Sequence, residues 1–322
     1  MTIGVLALVG LSPERVASLT AAGYAVREGK KHANRMDAVR EAGDTVRAVL
    51  TNGRGGLSGD EMALLPKLEL VCAVGAGYEA IDLDTARRRG IAVANCPDTN
   101  ASAVADSAMM LLMAATRHLR QADRHVHAGG WQEQWRVVTP TISGKRLGVL
   151  GMGTIGSKIA HRAARGFDME VGYHNRSAVA GSPYRYFDSL IALATWADFL
   201  VCAAPGGAGT RHLVNADVLA ALGPKGYLVN IGRGTVVDTA ALVDALRSKR
   251  IGGAGLDVLE GEPSVPPILP ELLGFDNVVV TPHCAGRAPE ALAAATAMIL
   301  GNLNAYFAGK PLPSPVSTAG KP

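Results

Sequence analysis

The run Arg146-Leu147-Gly148-Val149-Leu150 leads directly into Gly151-Met152-Gly153-Thr154-Ile155-Gly156 and then into a helical stretch, Ser157 to Arg165. An apolar strand, a G-x-G-x-x-G turn and a helix in immediate succession suit few folds. The first glycine permits the tight turn and the second lets a pyrophosphate approach the backbone. The third lets helix lie on strand, and the helix N-terminus offers N–H donors to the anion. Gly151, Gly153, Thr154, Ile155 and Gly156 are therefore expected to hold a dinucleotide.

The rest of the chain repeats this alternation. Short apolar runs at 3–9, 48–50, 68–74 and 91–93 are separated by helix-like segments, the mark of βαβ units. One layer system ends near Cys96-Pro97. Residues 100–127 read as one long helix joining two domains. Val104, Met110, Leu111, Met113 and Ala114 form its apolar side, and Met109, Met110 and Met113 are expected as core filling. After a loop from Gly129 to Ser143, a second alternation runs from Arg146 through strands near Val171, Phe199, Leu228, Gly255 and Val278. Glu290 to Phe307 is again helical and is expected to pack back on the first domain, followed by a loose Pro-rich tail from Pro311. The predicted fold is α/β, with two Rossmann-like doubly wound parallel-sheet domains and an active-site cleft between them. Residues 1–99 with 286–322 form the substrate-binding domain, and 100–285 the dinucleotide-binding domain. A length of 322 residues suits two domains.

Charge and cysteine content set limits. A formal net charge of +4 is mild, and the basic residues are scattered, so nucleic acid is not an expected partner while anionic ligands are modestly favoured. Arg87-Arg88-Arg89 reads as a solvated helix face capped by Gly90. Cys72, Cys96, Cys202 and Cys284 form no CxxC pair and read as free thiols. Met1 to Gly10 lacks the basic lead of a signal peptide, and no run approaches the roughly 18 apolar residues of a membrane span. A cytoplasmic location follows as the expectation. His32, His125 and His127 lack ligand spacing, and no catalytic metal is expected.

The cofactor can be specified further. Where an NAD-binding chain carries a carboxylate for the ribose 2′-hydroxyl, this chain has His174-Asn175-Arg176-Ser177. A guanidinium beside an amide and a hydroxyl can take a 2′-phosphate by charge-assisted hydrogen bonds. Asn175, Arg176 and Ser177 thus predict NADP(H) in preference to NAD(H).

Three further segments follow apolar strands: Asn230-Ile231-Gly232-Arg233-Gly234, Gly255 to Pro263 with Asp257 and Glu262, and Thr281-Pro282-His283. In a parallel sheet all three face the crevice at the carboxyl ends of the strands, with the glycine turn. Reducing a 2-oxo acid needs a hydride, a proton donor for the developing alkoxide and a cation for the carboxylate. His283 suits the donor, Glu262 would orient its ring, and Arg233 offers a planar, permanently charged fork. Ile231 lies beside them and is expected to contact the cofactor.

With these motifs in order, preceded by Val74-Gly75-Ala76-Gly77-Tyr78 and the stretch from Asn95-Cys96-Pro97 to Arg117, the chain closely resembles the D-isomer-specific 2-hydroxyacid dehydrogenase family over nearly its whole length. The resemblance implies an Arg/Glu/His trio at Arg233, Glu262 and His283, with Arg233 and His283 also touching substrate. It further implies carboxylate binding by the backbone amides of Val74, Gly75 and Ala76, Asp257 on the nicotinamide carboxamide, and a homodimer. The 174–177 stretch is similar to the NADP-using branch of glyoxylate/hydroxypyruvate and hydroxyphenylpyruvate reductases. In that branch a tryptophan matching Trp131 reaches the partner's active site. Formate dehydrogenases of this fold have Gln where Glu262 stands, which argues against that activity.

The expected activity is NADPH-dependent reduction of a small 2-oxo acid of the glyoxylate or hydroxypyruvate type to the D-2-hydroxy acid. Alternatives are reduction of an aromatic 2-oxo acid such as hydroxyphenylpyruvate, or a dinucleotide-binding regulatory protein on the same fold. The loop Thr51 to Leu57, with Arg54, is expected to line the side-chain pocket without specifying one substrate.

Overall fold

The computed structural model describes residues 2–32, 34–132 and 135–317. The chain divides into two compact units, Met1–Asn100 with Ala288–Pro322, and Ala101–Arg287.

The first unit is built on a five-stranded sheet in the order β2-β1-β3-β4-β5. Its strands are β1 (Ile3–Ala7), β2 (Tyr24–Glu28), β3 (Val46–Thr51), β4 (Leu70–Ala73) and β5 (Ala92–Ala94), all paired in parallel. β3 and β4 are buried almost throughout, so they read as continuous apolar runs. The edge strand β2, Tyr-Ala-Val-Arg-Glu, alternates buried with more exposed positions, and its polar residues hid it from the sequence reading. One face of the sheet packs on Ala295, Ile299 and Leu303 of the helix Pro289–Phe307.

The tail departs from the expectation of looseness. Ser314 is buried and joined to Asn302, Val316 donates its N–H to the Val93 carbonyl at 2.8 Å, and Ala94 bridges Pro315. Asn302 is fully buried and needs these partners, which is why the segment is tied down. Residues 318–322 lie outside the described residues. Arg89 is exposed like Arg87 and Arg88, and its guanidinium also reaches the Met62 and Leu65 carbonyls.

The second unit carries a seven-stranded sheet in the order β12-β11-β10-β9-β6-β7-β8. These are β6 (Arg146–Leu150), β7 (Glu170–His174), β8 (Arg185–Tyr186), β9 (Phe199–Cys202), β10 (Tyr227–Asn230), β11 (Gly253–Leu256) and β12 (Val278–Val280). Chain order reverses at β6, which has β7 on one side and β9 on the other. Ligands bind at such a switch point in open α/β sheets.

The single helix expected over 100–127 is two, Ala101–Thr116 and Leu119–His127, broken where His118 adopts φ +49. A non-glycine residue in that left-handed region cannot continue a right-handed helix. The first helix buries Leu111 and Leu112 completely, whereas Met110 is 47% and Met113 37% exposed. Of the three methionines expected in the core, only Met109 is there. The helix thus carries apolar side chains on a face that the described residues leave exposed.

Candidate active site

The glycine turn sits at the switch point. Gly151 has φ +98, and a Cβ there would come within 2.7 Å of the Ala204 amide nitrogen. A Cβ on Gly156 would collide with the Gly151 carbonyl, whereas one on Gly153 would meet nothing within 4 Å. So two glycines are demanded by the fold and the third leaves open space beside backbone. The helix Thr154–Gly166 starts there without a capping side chain, and Thr154 is exposed. Open space before uncapped N–H groups fits a pyrophosphate.

At the end of β7, the Asn175 side-chain carbonyl accepts the Met152 N–H at 2.7 Å, and the His174 carbonyl accepts the Gly151 N–H at 3.0 Å. Asn175 therefore buttresses the glycine turn. Arg176 and Ser177 are exposed just beyond it.

Arg233, Glu262 and His283 follow β10, β11 and β12, three neighbouring strands. Arg233 is held by the turn that carries it. Asn230, 1% exposed, donates from its amide to the Arg233 carbonyl at 3.0 Å and accepts the Gly232 N–H at 3.1 Å. Ile231 is buried, with its N–H on the Cys202 carbonyl. The sequence reading gave Asn230 no role, and its signal is an amide residue at a strand end directly before Gly-Arg-Gly.

Glu262 and His283 are in direct contact: His283 Nδ1 lies 2.6 Å from Glu262 Oε2, with side chains 27% and 18% exposed respectively. The other carboxylate oxygen accepts the Leu259 N–H at 2.8 Å. A carboxylate only accepts, so Nδ1 donates in this contact and Nε2 is the ring nitrogen that it does not use.

His283 adopts φ +51, a conformation that needs external support. Asp257 provides it. Its backbone carbonyl accepts the His283 N–H at 2.8 Å, and its carboxylate takes the Thr281 hydroxyl at 2.6 Å, the Cys284 N–H at 2.9 Å and the Ala285 N–H at 3.0 Å. With Asp257 only 2% exposed, these bonds make it the anchor of the 281–285 segment, a role the sequence reading did not assign.

In the first unit, Val74, Gly75 and Ala76 follow β4. The Val74 N–H donates to the Thr51 carbonyl at 2.8 Å, so the expected set of carboxylate-binding amides narrows to Gly75 and Ala76. Their carbonyls accept from Cys96 and Asn95. Arg54 donates its backbone N–H to the Asn52 side chain at 3.1 Å. Trp131 is 67% exposed, and His125 Nε2 lies 3.3 Å from its carbonyl.

The family model described as D-isomer specific 2-hydroxyacid dehydrogenase, NAD binding domain, matches residues 109–285. The chain belongs to that family. It is thus an oxidoreductase with a nicotinamide-dinucleotide-binding domain. Over 273 residues it is 41% identical to a hydroxyphenylpyruvate reductase of Plectranthus scutellarioides, covering 85% of this chain and 86% of the relative. It is equally 41% identical over 273 residues to a glyoxylate/hydroxypyruvate reductase of Arabidopsis thaliana, again covering 85% and 86%. Among solved structures, an NADPH-dependent glyoxylate/hydroxypyruvate reductase from Sinorhizobium meliloti, in complex with NADP and malonate, superposes with a TM-score of 0.86. That pair shares 34% identity, with 99% of this chain and 98% of the other covered. Among the described residues, no helix is long and apolar enough to cross a membrane.

Proposed function

We propose that this family member reduces a small 2-oxo acid of the glyoxylate or hydroxypyruvate type to the D-2-hydroxy acid with NADPH. The observation that carries the reading is the His283 Nδ1 to Glu262 Oε2 contact of 2.6 Å, on loops next to the one bearing Arg233. The bound nicotinamide supplies the hydride when present. Arg233 binds the substrate carboxylate and polarises the carbonyl. His283 gives its Nε2 proton to the oxygen that becomes the hydroxyl, and is reprotonated from solvent. Glu262 holds Nδ1–H and stabilises the charged ring. Asp257 acts through the His283 segment.

The preference for NADPH is supported by the exposed Arg176 and Ser177 and by the lack of a carboxylate among residues 174–177. A homodimer is supported by the exposed apolar side chains Met110, Met113, Leu119, Val126, Trp131 and Val138, which crowd into one stretch of chain. The cytoplasm is the compartment that suits free thiols at all four cysteines.

The test is absorbance at 340 nm with NADPH or NADH against glyoxylate, hydroxypyruvate, pyruvate and hydroxyphenylpyruvate. Turnover of a small 2-oxo acid, faster per unit KM with NADPH, is the expected result. Tight NADPH binding without turnover of any of the four would overturn the assignment, and equal or better use of NADH would overturn the cofactor preference.

A further inference from the structure

β9, β10, β11 and β12 stand side by side, and the loops after the last three carry Arg233, Glu262 and His283. The loop after β9 carries His212, a residue that none of the sequence motifs includes. Its backbone is locked to the β10 loop. His212 sits at φ +52 with its N–H on the Thr235 carbonyl at 2.8 Å. Two residues on, Val214 and Val237 form a parallel bridge, closed by Val214 N–H to Val236 carbonyl and Asp238 N–H to Val214 carbonyl, both at 3.0 Å.

The His212 side chain then crosses to the β11 loop. Its Nε2 lies 2.8 Å from Glu260 Oε1, and its Nδ1 lies 3.8 Å from Asp238 Oδ2. Asp238 in turn caps the helix Thr239–Arg247 through the Ala241 N–H at 3.0 Å. Glu260 Oε2 accepts the Thr239 N–H at 3.2 Å, and Arg211 lies 3.6 Å from Oε1. Burial pushes the Glu260 carboxyl up, but the hydrogen bonds from His212 and Thr239 outweigh it and hold the group below its ordinary value.

These contacts enclose the two reactive loops. A Cβ on Gly234 would collide with the Leu259 carbonyl, so the Arg233-Gly234 backbone lies hard against the segment containing Glu260. A Cβ on Gly206, in the β9 loop, would come within 2.9 Å of Arg233 Cγ. Two residues beyond Glu260 stands Glu262, whose carboxylate is held by the Leu259 N–H. Arg233 is thus wedged between the β9 loop and the 259–260 segment, and that segment also sets Glu262.

We infer that His212 and Glu260 are positioning residues, a side-chain strut from the β9 loop to the β11 loop that fixes Arg233 and Glu262 together. The inference rests on the assignment of those two residues to 2-oxo acid reduction. A partly exposed contact of this kind, with side chains 33% and 25% exposed, contributes little to global stability, so the strut's effect is concentrated in geometry. Misplacing a reactive group by about 1 Å can cost up to about a hundredfold in rate.

The test compares the wild type with His212→Ala, His212→Gln and Glu260→Gln. For each, kcat and KM are measured for a 2-oxo acid that the wild type turns over, with NADPH affinity by fluorescence, oxamate affinity of the NADPH complex, and Tm. His212→Ala is expected to lower kcat and to raise KM and the oxamate Kd, each by about tenfold, with NADPH affinity within about twofold. His212→Gln, which keeps an N–H for Glu260, should recover most of that loss, and Glu260→Gln should lose about threefold or more. Should His212→Ala fail to fold, Glu260→Gln carries the same test, because it preserves the side-chain shape. Values within about twofold of wild type for both His212→Ala and Glu260→Gln, or no rescue by Gln, would overturn the positioning role. A wild type that neither turns over a 2-oxo acid nor binds oxamate overturns the functional reading and this inference with it. An active wild type with indifferent variants overturns this inference alone.

Discussion

His283 Nδ1 lies 2.6 Å from Glu262 Oε2, and that contact leaves Nε2 as the ring nitrogen that the carboxylate does not engage. His283→Ala should therefore lower kcat by about 10²–10⁴-fold, the usual worth of a placed general acid, with NADPH affinity little changed. Glu262→Gln keeps the shape but loses the charge that stabilises imidazolium, and should lose less. Near-normal turnover by the alanine variant would remove His283 from the proton path.

Arg176 and Asn175 are adjacent yet should behave differently. A charge-assisted bond to a 2′-phosphate is worth about 1.5–3 kcal/mol, so Arg176→Ala should cut kcat/KM for NADPH by about 10–100-fold and leave NADH use unchanged. Asn175 holds the Met152 N–H of the glycine turn at 2.7 Å, which both cofactors need, so Asn175→Ala should weaken NADPH and NADH alike. Parallel loss of both cofactors in the arginine variant contradicts phosphate recognition.

Acid should destabilise the protein partly through Asp198 and Glu61. Burial pushes both carboxyls up, but Arg146 beside Asp198 and Arg35 beside Glu61 outweigh it, so both lie below their ordinary values of 3.8 and 4.5. Groups with depressed values stabilise the fold above those ordinary values and lose that contribution as pH falls through the folded-state values. Tm should drop below about pH 4.5, and Asp198→Asn should make the drop shallower while lowering Tm at neutral pH. An unchanged acid limb in that variant would count against the pair.

Thr116 ends the helix Ala101–Thr116 fully buried, and among the described residues its hydroxyl has no hydrogen-bond partner. An unsatisfied buried hydroxyl costs about 1–3 kcal/mol. Thr116→Val, of nearly the same shape, should raise Tm by roughly 2–4 °C for each kcal/mol recovered. A fall in Tm on calorimetry would mean that the hydroxyl is satisfied in solution.

Local pattern was enough to expose much of this protein. Strand, glycine turn and helix at 146–165 need only near neighbours to be recognised, and the apolar runs of β3, β4, β9, β10 and β11 announce a parallel sheet covered on both faces. The motifs around Arg233, Glu262 and His283 were legible for the same reason, since each closes a run of buried strand. The edge strands β2 and β8 were harder, because they mix charged with apolar side chains and leave no continuous apolar run to read.

What the chain order alone determined was the set of chemical groups at the strand ends. Which groups touch was decided by strand order in the folded sheet, since β9 to β12 bring four loops together although their residues are far apart in sequence. His212 meets Glu260, Asp257 organises the segment around His283, and Asn175 supports Met152 only because parallel pairing aligns those loops. The break at His118 and the pinned tail at Ser314 have the same origin: long-range packing and hydrogen bonding override what the local run of residues favours.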